Sequence, residues 1–69
     1  MKGKELFMKG MFFFEKRATI HITCEDGRFY NGLILEISEK LLILQDKVLG
    51  ETPVFFSEIK NLERFKENE

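Results

Sequence analysis

The chain has 69 residues, with eleven basic and twelve acidic side chains and a formal net charge of −1. This length allows one domain, and a domain this small buries only about 60% of the surface of its unfolded chain. The balanced charge excludes the general attraction to nucleic acid of a strongly basic protein, although a local basic patch stays open. No run approaches the roughly twenty apolar residues that a membrane-spanning helix requires.

Cysteine and histidine each occur once, as Cys24 and His21. An internal disulfide is therefore excluded, and two such residues cannot supply the four ligands of a structural zinc ion. We expect no metal or cofactor. A free thiol, together with an N-terminus that lacks the apolar core of a signal peptide, predicts a cytoplasmic protein. The many Lys and Glu residues are compatible with a thermophilic source.

The segment 4–16 is predicted to form a short helix, because its apolar residues recur at helical spacing. The predicted stripe consists of Phe7, Met8, Met11, Phe12 and Phe14, and Phe13 falls outside it. This helix either closes one end of a barrel or lies on a membrane surface. Glu5 and Glu15 argue against the membrane, which favours a strongly basic polar face.

The next segment predicts a hairpin. Residues 18–24 alternate between apolar and polar side chains, as in a half-buried strand, and Asp26-Gly27 is a strong tight-turn signal. A second strand follows over 29–37, with Gly32 inside it. A glycine inside a strand marks a bulge, a sharp bend or a close approach of another backbone. The alternation places Cys24 on the apolar face, as a core residue, and His21 on the opposite face.

The remaining chain predicts three more strands. The third strand covers 41–46, and a turn region with Gly50 and Pro53 covers 46–53. The fourth strand covers 54–56, and a helical turn that is capped by Ser57 covers 57–60. The fifth strand covers 61–65, and a charged tail covers 66–69. The expected fold is therefore a single, mainly β domain over residues 1–69. A short helix precedes a barrel over about 17–65, and the five strands bend strongly in the manner of SH3-like or Sm-like barrels.

The first hairpin resembles the first motif of the Sm-like proteins. The residues that carry the resemblance are Ile20, Ile22, Asp26, Gly27, Arg28, Tyr30, Gly32, Ile34 and Ile37. Leu42-Ile43-Leu44 then follows close to the position of the family's third strand. The resemblance implies a homo-oligomeric ring that holds single-stranded RNA. An SH3-like barrel from another lineage, which could share the Asp-Gly turn and the bent glycine strand, stays open.

The residues that bind RNA in the Sm-like family are altered here. The family's first binding loop supplies an aspartate, a stacking side chain and an asparagine, whereas this chain has Ser38 at the aspartate position, Lys40 near the stacking position and no asparagine. The second loop normally carries Arg-Gly, and here Phe56-Ser57 or Ser57-Glu58 takes its place. The candidate RNA-binding residues are Ser38, Lys40, Phe56, Ser57 and Lys60.

Two functions follow from these observations. The first is a ring-forming Sm-like protein that binds single-stranded RNA through a divergent site. The second is an SH3-like or Sm-like assembly module that contacts proteins and has no role with nucleic acid. Both expect self-association, because eight phenylalanines exceed what a small barrel can hide. The candidate contact residues of the terminal strands are Val54, Phe55, Phe56, Leu62 and Phe65.

An enzyme is not expected from this sequence. No nucleophile with a neighbouring base, no glycine-rich phosphate loop and no cluster of metal ligands is present. Glu25 and Asp26 are adjacent carboxylates, but they belong to the predicted turn, where Asp acts through hydrogen bonds to the backbone. We predict structural roles for Gly27, in the turn, and Gly32, inside the second strand.

Overall fold

A computed structural model describes residues 2–66 of the chain. The elements in order are α1 (Lys2–Lys16), β1 (Thr19–Cys24), β2 (Phe29–Ile37), β3 (Leu41–Asp46), β4 (Gly50–Phe55), the 3-10 helix η1 (Phe56–Glu58) and β5 (Ile59–Arg64). Of the predicted charged tail, residues 67–69 lie outside the described residues.

The five strands form one antiparallel sheet with the order β4-β3-β2-β1-β5. This architecture confirms the predicted fold class, a mainly β domain with a short helix in front of five bent strands. The two C-terminal strands lie at opposite edges of the sheet, since β4 pairs with β3 and β5 pairs with β1. Within residues 2–66, neither β4 nor β5 has a strand paired with its outer edge.

The core lies between the concave side of the sheet and the helix. Its fully buried side chains come from β1, β3, β4 and β5: Ile20, Ile22, Cys24, Leu42, Leu44, Val54, Ile59 and Leu62. Leu6 of α1 joins this cluster, and Phe7, Phe13 and Phe14 pack against it. The predicted burial of Cys24 is confirmed, because its side chain is only 1% exposed.

Gly32 lies where β2 meets the backbone of β3. A Cβ atom at this position would stand 1.9 Å from the carbonyl oxygen of Gln45. The structure thus shows a close backbone approach at Gly32, while the irregularity in the β2–β3 register lies further on, between Ile34 and Glu36. Beyond the glycine, Leu33 and Leu35 are exposed and Ile34 is buried.

The second half of the sheet differs from the sequence-based expectation. The prediction of a turn over 46–53 and a fourth strand over 54–56 was wrong, because β4 already begins at Gly50 and the turn covers only 47–49. Pro53 lies inside β4, opposite Ile43. A proline is tolerated there because β4 is an edge strand with a partner on one side only.

The short helical turn also differs from the prediction. It covers Phe56–Glu58 instead of 57–60, with Phe55 at its N-cap position and no side-chain capping bond among the described atoms. The predicted cap by Ser57 was therefore wrong. Strand β5 starts at Ile59, earlier than expected, because this side chain is fully buried in the core.

The helix α1 presents a different face to the sheet than its apolar pattern predicted. Leu6 and Gly10 are buried, whereas Met8 and Phe12 are 61% and 55% exposed. A Cβ atom on Gly10 would stand 2.9 Å from the Cδ1 atom of Ile37, so the helix approaches β2 closely at this glycine. Placing Met8 and Phe12 in the buried stripe and Phe13 outside it was wrong. The glycine side of the helix sets the contact, and Phe13 packs against the core.

The helix ends in a left-handed residue. Arg17 has a φ of 55°, and the N–H groups of Arg17 and Ala18 donate to the carbonyls of Phe14 and Phe13 at 3.2 and 3.1 Å. This is the bonding pattern of a Schellman motif, in which glycine is the usual left-handed residue. The motif turns the chain directly into β1.

Candidate nucleic-acid interface

A cavity opens where the β2–β3 loop, η1 and the start of α1 meet. The N–H of Phe56 donates to the carbonyl of Lys40 at 2.9 Å, and this bond ties η1 to the loop. Ser38 closes the same loop, since its Oγ atom donates to the carbonyl of Leu41 at 3.2 Å. The cavity has a volume of about 470 Å³, and its lining residues are Gly3, Glu39, Lys40, Phe55, Phe56 and Ser57.

Two phenylalanines give this cavity an apolar floor. Phe56 is 4% exposed and packs edge-to-face on Phe7, with 6.1 Å between the ring centroids, so its ring is held in place. Phe55 is 44% exposed and presents its ring to solvent. An accessible aromatic ring with a lysine nearby is the combination on which single-stranded nucleic acids stack. Lys40 supplies the cation here, and Glu39 opposes it.

The structure brings three of the five predicted RNA-site residues together, namely Lys40, Phe56 and Ser57. Ser38 lies in the same loop, but its hydroxyl is engaged with Leu41. Lys60 is exposed on β5 and does not line the cavity. The cavity also includes Gly3, which the sequence did not indicate, because only the packing of α1 on the sheet brings the helix start to this loop.

The candidate contact residues divide into buried and accessible side chains. Val54 and Leu62 are fully buried in the core, and Phe56 is nearly so. Phe55 is accessible on β4, while Phe65 is half-buried, with the Lys47 Nζ atom 4.9 Å from its ring centroid. Of these five side chains, that of Phe55 is the most accessible.

The outer surface of the sheet carries a separate polar group around His21. Its Nδ1 atom is hydrogen-bonded to Oδ1 of Asn31, and its Nε2 atom lies 3.4 Å from Oγ1 of Thr23. The ring of Phe29, which is 63% exposed, lies 5.8 Å from the imidazole. His21 thus lies on the face opposite the core, as its place in the alternation predicted.

Two carboxylates stabilise the turns next to these surfaces. Asp46 accepts hydrogen bonds from the N–H groups of Leu49, Val48 and Asn31 at 2.9, 2.8 and 3.2 Å. These bonds, that from Leu49 foremost, lower the pKa of Asp46, and the partial burial of the carboxyl opposes the shift. In the β1–β2 turn, the pKa of Asp26 is lowered by its hydrogen bonds from Arg28.

The residues from 2 to 66 contain no helix that is long and apolar enough to cross a membrane. No family model matches the chain, and no curated protein matches it by sequence. Solved structures do match it. One is the 1.55 Å crystal structure of the pleiotropic translational regulator Hfq, which has a TM-score of 0.73 and 12% sequence identity and covers 81% of this chain and 92% of that chain. The helix followed by five bent antiparallel strands, together with this likeness, shows that the chain has the Sm-like fold.

Proposed function

We propose that this chain assembles head to tail into a ring and that each copy binds single-stranded RNA in the cavity beside η1. The observation that carries the proposal is the position of Phe55. Its accessible ring lines the cavity, and its backbone belongs to the free edge strand β4. Phe55 would therefore take part both in the contact between copies and in RNA binding. The likeness to a translational regulator supports a role with RNA.

The assembly follows from the two free edges. Each edge presents backbone groups that can pair with another strand, except that Pro53 of β4 has no N–H to donate. Because β4 and β5 lie at opposite ends of the sheet, pairing β4 of one copy with β5 of the next is a heterologous contact. Such a contact closes into a ring when the rotation between neighbours permits it.

The variant Phe55→Asp is expected to reduce the mass of the assembly strongly, to that of single chains at micromolar concentration. The substitution places a charge on the apolar part of the β4 edge, where a neighbour would have to remove it from water. Light scattering gives the mass. Phe55→Leu is the matched control, because it keeps an apolar side chain and should keep the assembly. An Asp variant with the wild-type mass would contradict pairing through this edge.

RNA binding in this cavity is expected to be weak and to distinguish bases poorly. Among residues 2–66, those that line the cavity include no asparagine or arginine to read a base edge. Such a bidentate contact typically contributes about 1–3 kcal/mol of discrimination. Stacking on Phe55 and attraction of phosphate by Lys40 remain. Because the attraction depends on charge, binding should weaken steeply as salt rises.

Fluorescence anisotropy with labelled oligo(U) and oligo(A), at low and at physiological salt, tests this expectation. Both oligonucleotides should bind with similar affinity at low salt. Lys40→Gln should weaken both, whereas Lys60→Gln, which changes a lysine outside the cavity, should have a smaller effect. Tight, uridine-selective binding that persists at physiological salt would contradict the absence of base reading.

The second candidate is an assembly module that contacts proteins. This candidate is favoured by the acidic side chains close to the cavity. Glu39 lines the cavity, and Glu58 is half-buried at the end of η1, with its carboxylate 3.8 Å from Arg28. Both repel phosphate. A ring that binds neither oligonucleotide at low salt would support this second function.

A further inference from the structure

A separate cavity, the basic cavity, lies where the end of α1 passes into β1 beside the end of β5. It has a volume of about 300 Å³, and its lining residues are Lys16, Arg17, Ala18, Thr19, Arg64 and Phe65. Among residues 2–66, those that line it include three cations and no carboxylate. A concave surface lined by charge of one sign concentrates ions of the opposite sign. The whole chain has a net charge of −1, so this positive surface is a local feature.

Backbone hydrogen bonds hold both arginine-bearing segments of the basic cavity in place. Arg17 is the left-handed residue that ends α1, and its N–H and that of Ala18 donate to carbonyls of the helix. The N–H of Phe65 donates to the carbonyl of Thr19 at 2.9 Å, which ties the residue after Arg64 to the start of β1. Glycine is the usual left-handed residue, so an arginine there has a conformational cost. A role for its side chain would offset that cost.

The three cations are not neutralised by carboxylates of the described chain. Lys16, Arg17 and Arg64 are all exposed, and none of them forms an ion pair within residues 2–66. The carboxylates that precede them in sequence, Glu15 and Glu63, do not line the basic cavity. Like charges that converge without a counter-ion repel each other. An anionic ligand would remove this repulsion.

The surroundings of the basic cavity do not reverse its charge. An adjoining cavity is lined by His21, Glu63, Arg64, Phe65 and Lys66. When Lys66 and the two neighbouring carboxylates, Glu15 and Glu63, are included, this end of the molecule still has four cations against two acids.

We propose that the basic cavity binds the phosphate group of a small molecule. Each guanidinium group can donate two parallel hydrogen bonds to phosphate oxygens, and Lys16 adds a compact positive charge. A phosphate monoester has a charge of about −1.5 to −2 at pH 7 and three acceptor oxygens, so it suits several donors that converge on one cavity. The proposal goes beyond the proposed function, because it uses a different cavity and the residues of a single chain.

A single-stranded nucleic acid fits the basic cavity less well. Such a ligand requires an accessible aromatic ring on which its bases stack. Among residues 2–66, the one aromatic side chain that lines the cavity is Phe65, which is half-buried. The Lys47 Nζ atom already lies 4.9 Å from the centroid of this ring. These observations favour a compact ligand with its charge on one group.

Nuclear magnetic resonance titration of the wild-type chain with inorganic phosphate and with glycerol 3-phosphate tests the proposal. The backbone amides of Arg17, Ala18, Thr19 and Phe65 should shift and reach saturation, and glycerol should leave them unchanged. Tighter binding of the ester would identify an organic phosphate as the source, and tighter binding of the inorganic ion would identify free phosphate. The same shifts in potassium chloride at equal ionic strength would overturn the proposal, because they would show general screening.

Variants separate this site from the rest of the surface. Arg17→Gln and Arg64→Gln should each weaken binding of both phosphates about threefold to fivefold, as expected for exposed charge pairs. Lys60→Gln is the matched control, because Lys60 is an exposed lysine of β5 that lines neither of these two cavities. Circular dichroism and light scattering check that fold and mass are unchanged. An equal loss in Lys60→Gln would overturn the proposal.

A nucleic acid is distinguished by an oligo(A) without a terminal phosphate. Shifts of the basic-cavity amides with this oligonucleotide, and none with either small phosphate, would overturn the proposal in favour of a nucleic-acid backbone. Failure of RNA binding beside η1, or of ring formation, would leave the phosphate titration unchanged.

Discussion

Replacing Gly32 with valine is expected to lower the free energy of unfolding by about 2 kcal/mol or more. A Cβ atom at this position would stand 1.9 Å from the carbonyl oxygen and 2.7 Å from the carbonyl carbon of Gln45. These are backbone atoms of the paired strand β3, so no side-chain rotation relieves the overlap. The two strands would have to separate at the bridge between Gly32 and Asp46.

Urea unfolding followed by circular dichroism measures this effect, and alanine variants give a matched control. Gly32→Ala should already destabilise, because the overlap begins at Cβ. Gly3→Ala should have the opposite sign and stabilise by about 0.5–1 kcal/mol, because nothing lies within 4 Å of its added Cβ and alanine favours a helix. A Gly32→Val protein with the wild-type unfolding midpoint would show that β2 does not approach β3 here.

Removal of the Asp46 carboxylate is expected to cost about 2 kcal/mol. It is 8% exposed, and it accepts three backbone N–H groups that the β3–β4 turn and β2 would otherwise leave unpaired. Hydrogen bonds to a charged group typically contribute about 1.5–3 kcal/mol. Asp46→Ala removes all three bonds, whereas Asp46→Asn keeps one oxygen acceptor and should lose less. Equal stability of the alanine variant and the wild type would contradict this role.

The same carboxylate predicts an acid dependence. Its pKa is lowered in the folded protein, so the folded state binds fewer protons than the unfolded state as the pH falls towards the ordinary value of about 4. The contribution of this carboxylate to the free energy of unfolding is complete above that pH and is lost as the pH falls through the lowered pKa. The difference in stability between wild type and Asp46→Asn should therefore shrink on acidification. A difference that stays constant from neutral pH to below pH 4 would exclude this coupling.

The strands of the first half of the chain were predictable because their side chains follow a simple period. The alternation around Cys24 and the Asp26-Gly27 turn signal indicate β1, β2 and the hairpin that joins them, and β2 and β3 have the predicted bounds. The likeness of this hairpin to the Sm-like motif then predicted the fold. The β1–β2 turn fits its sequence, since Gly27 has a φ of 96°.

The errors concern places where tertiary contacts override local signals. The sequence predicts Pro53 at the end of a turn, but the residue lies inside β4, where an edge strand tolerates a proline. The helical spacing predicts Met8 and Phe12 as core residues. The helix instead approaches β2 closely at Gly10, so Met8 and Phe12 face solvent. The same packing brings Gly3 to the cavity. No periodicity in one chain reports such an approach between distant segments.

The molar mass of the wild-type chain at sedimentation equilibrium tests the central claim, assembly through the free edges of β4 and β5, most directly. A closed ring predicts a mass that is an integer multiple of 8.2 kDa and that reaches a ceiling as the loading concentration rises. A mass of 8.2 kDa at every concentration would contradict self-association altogether. A mass that grows without a ceiling would mean that the edges pair but the assembly does not close.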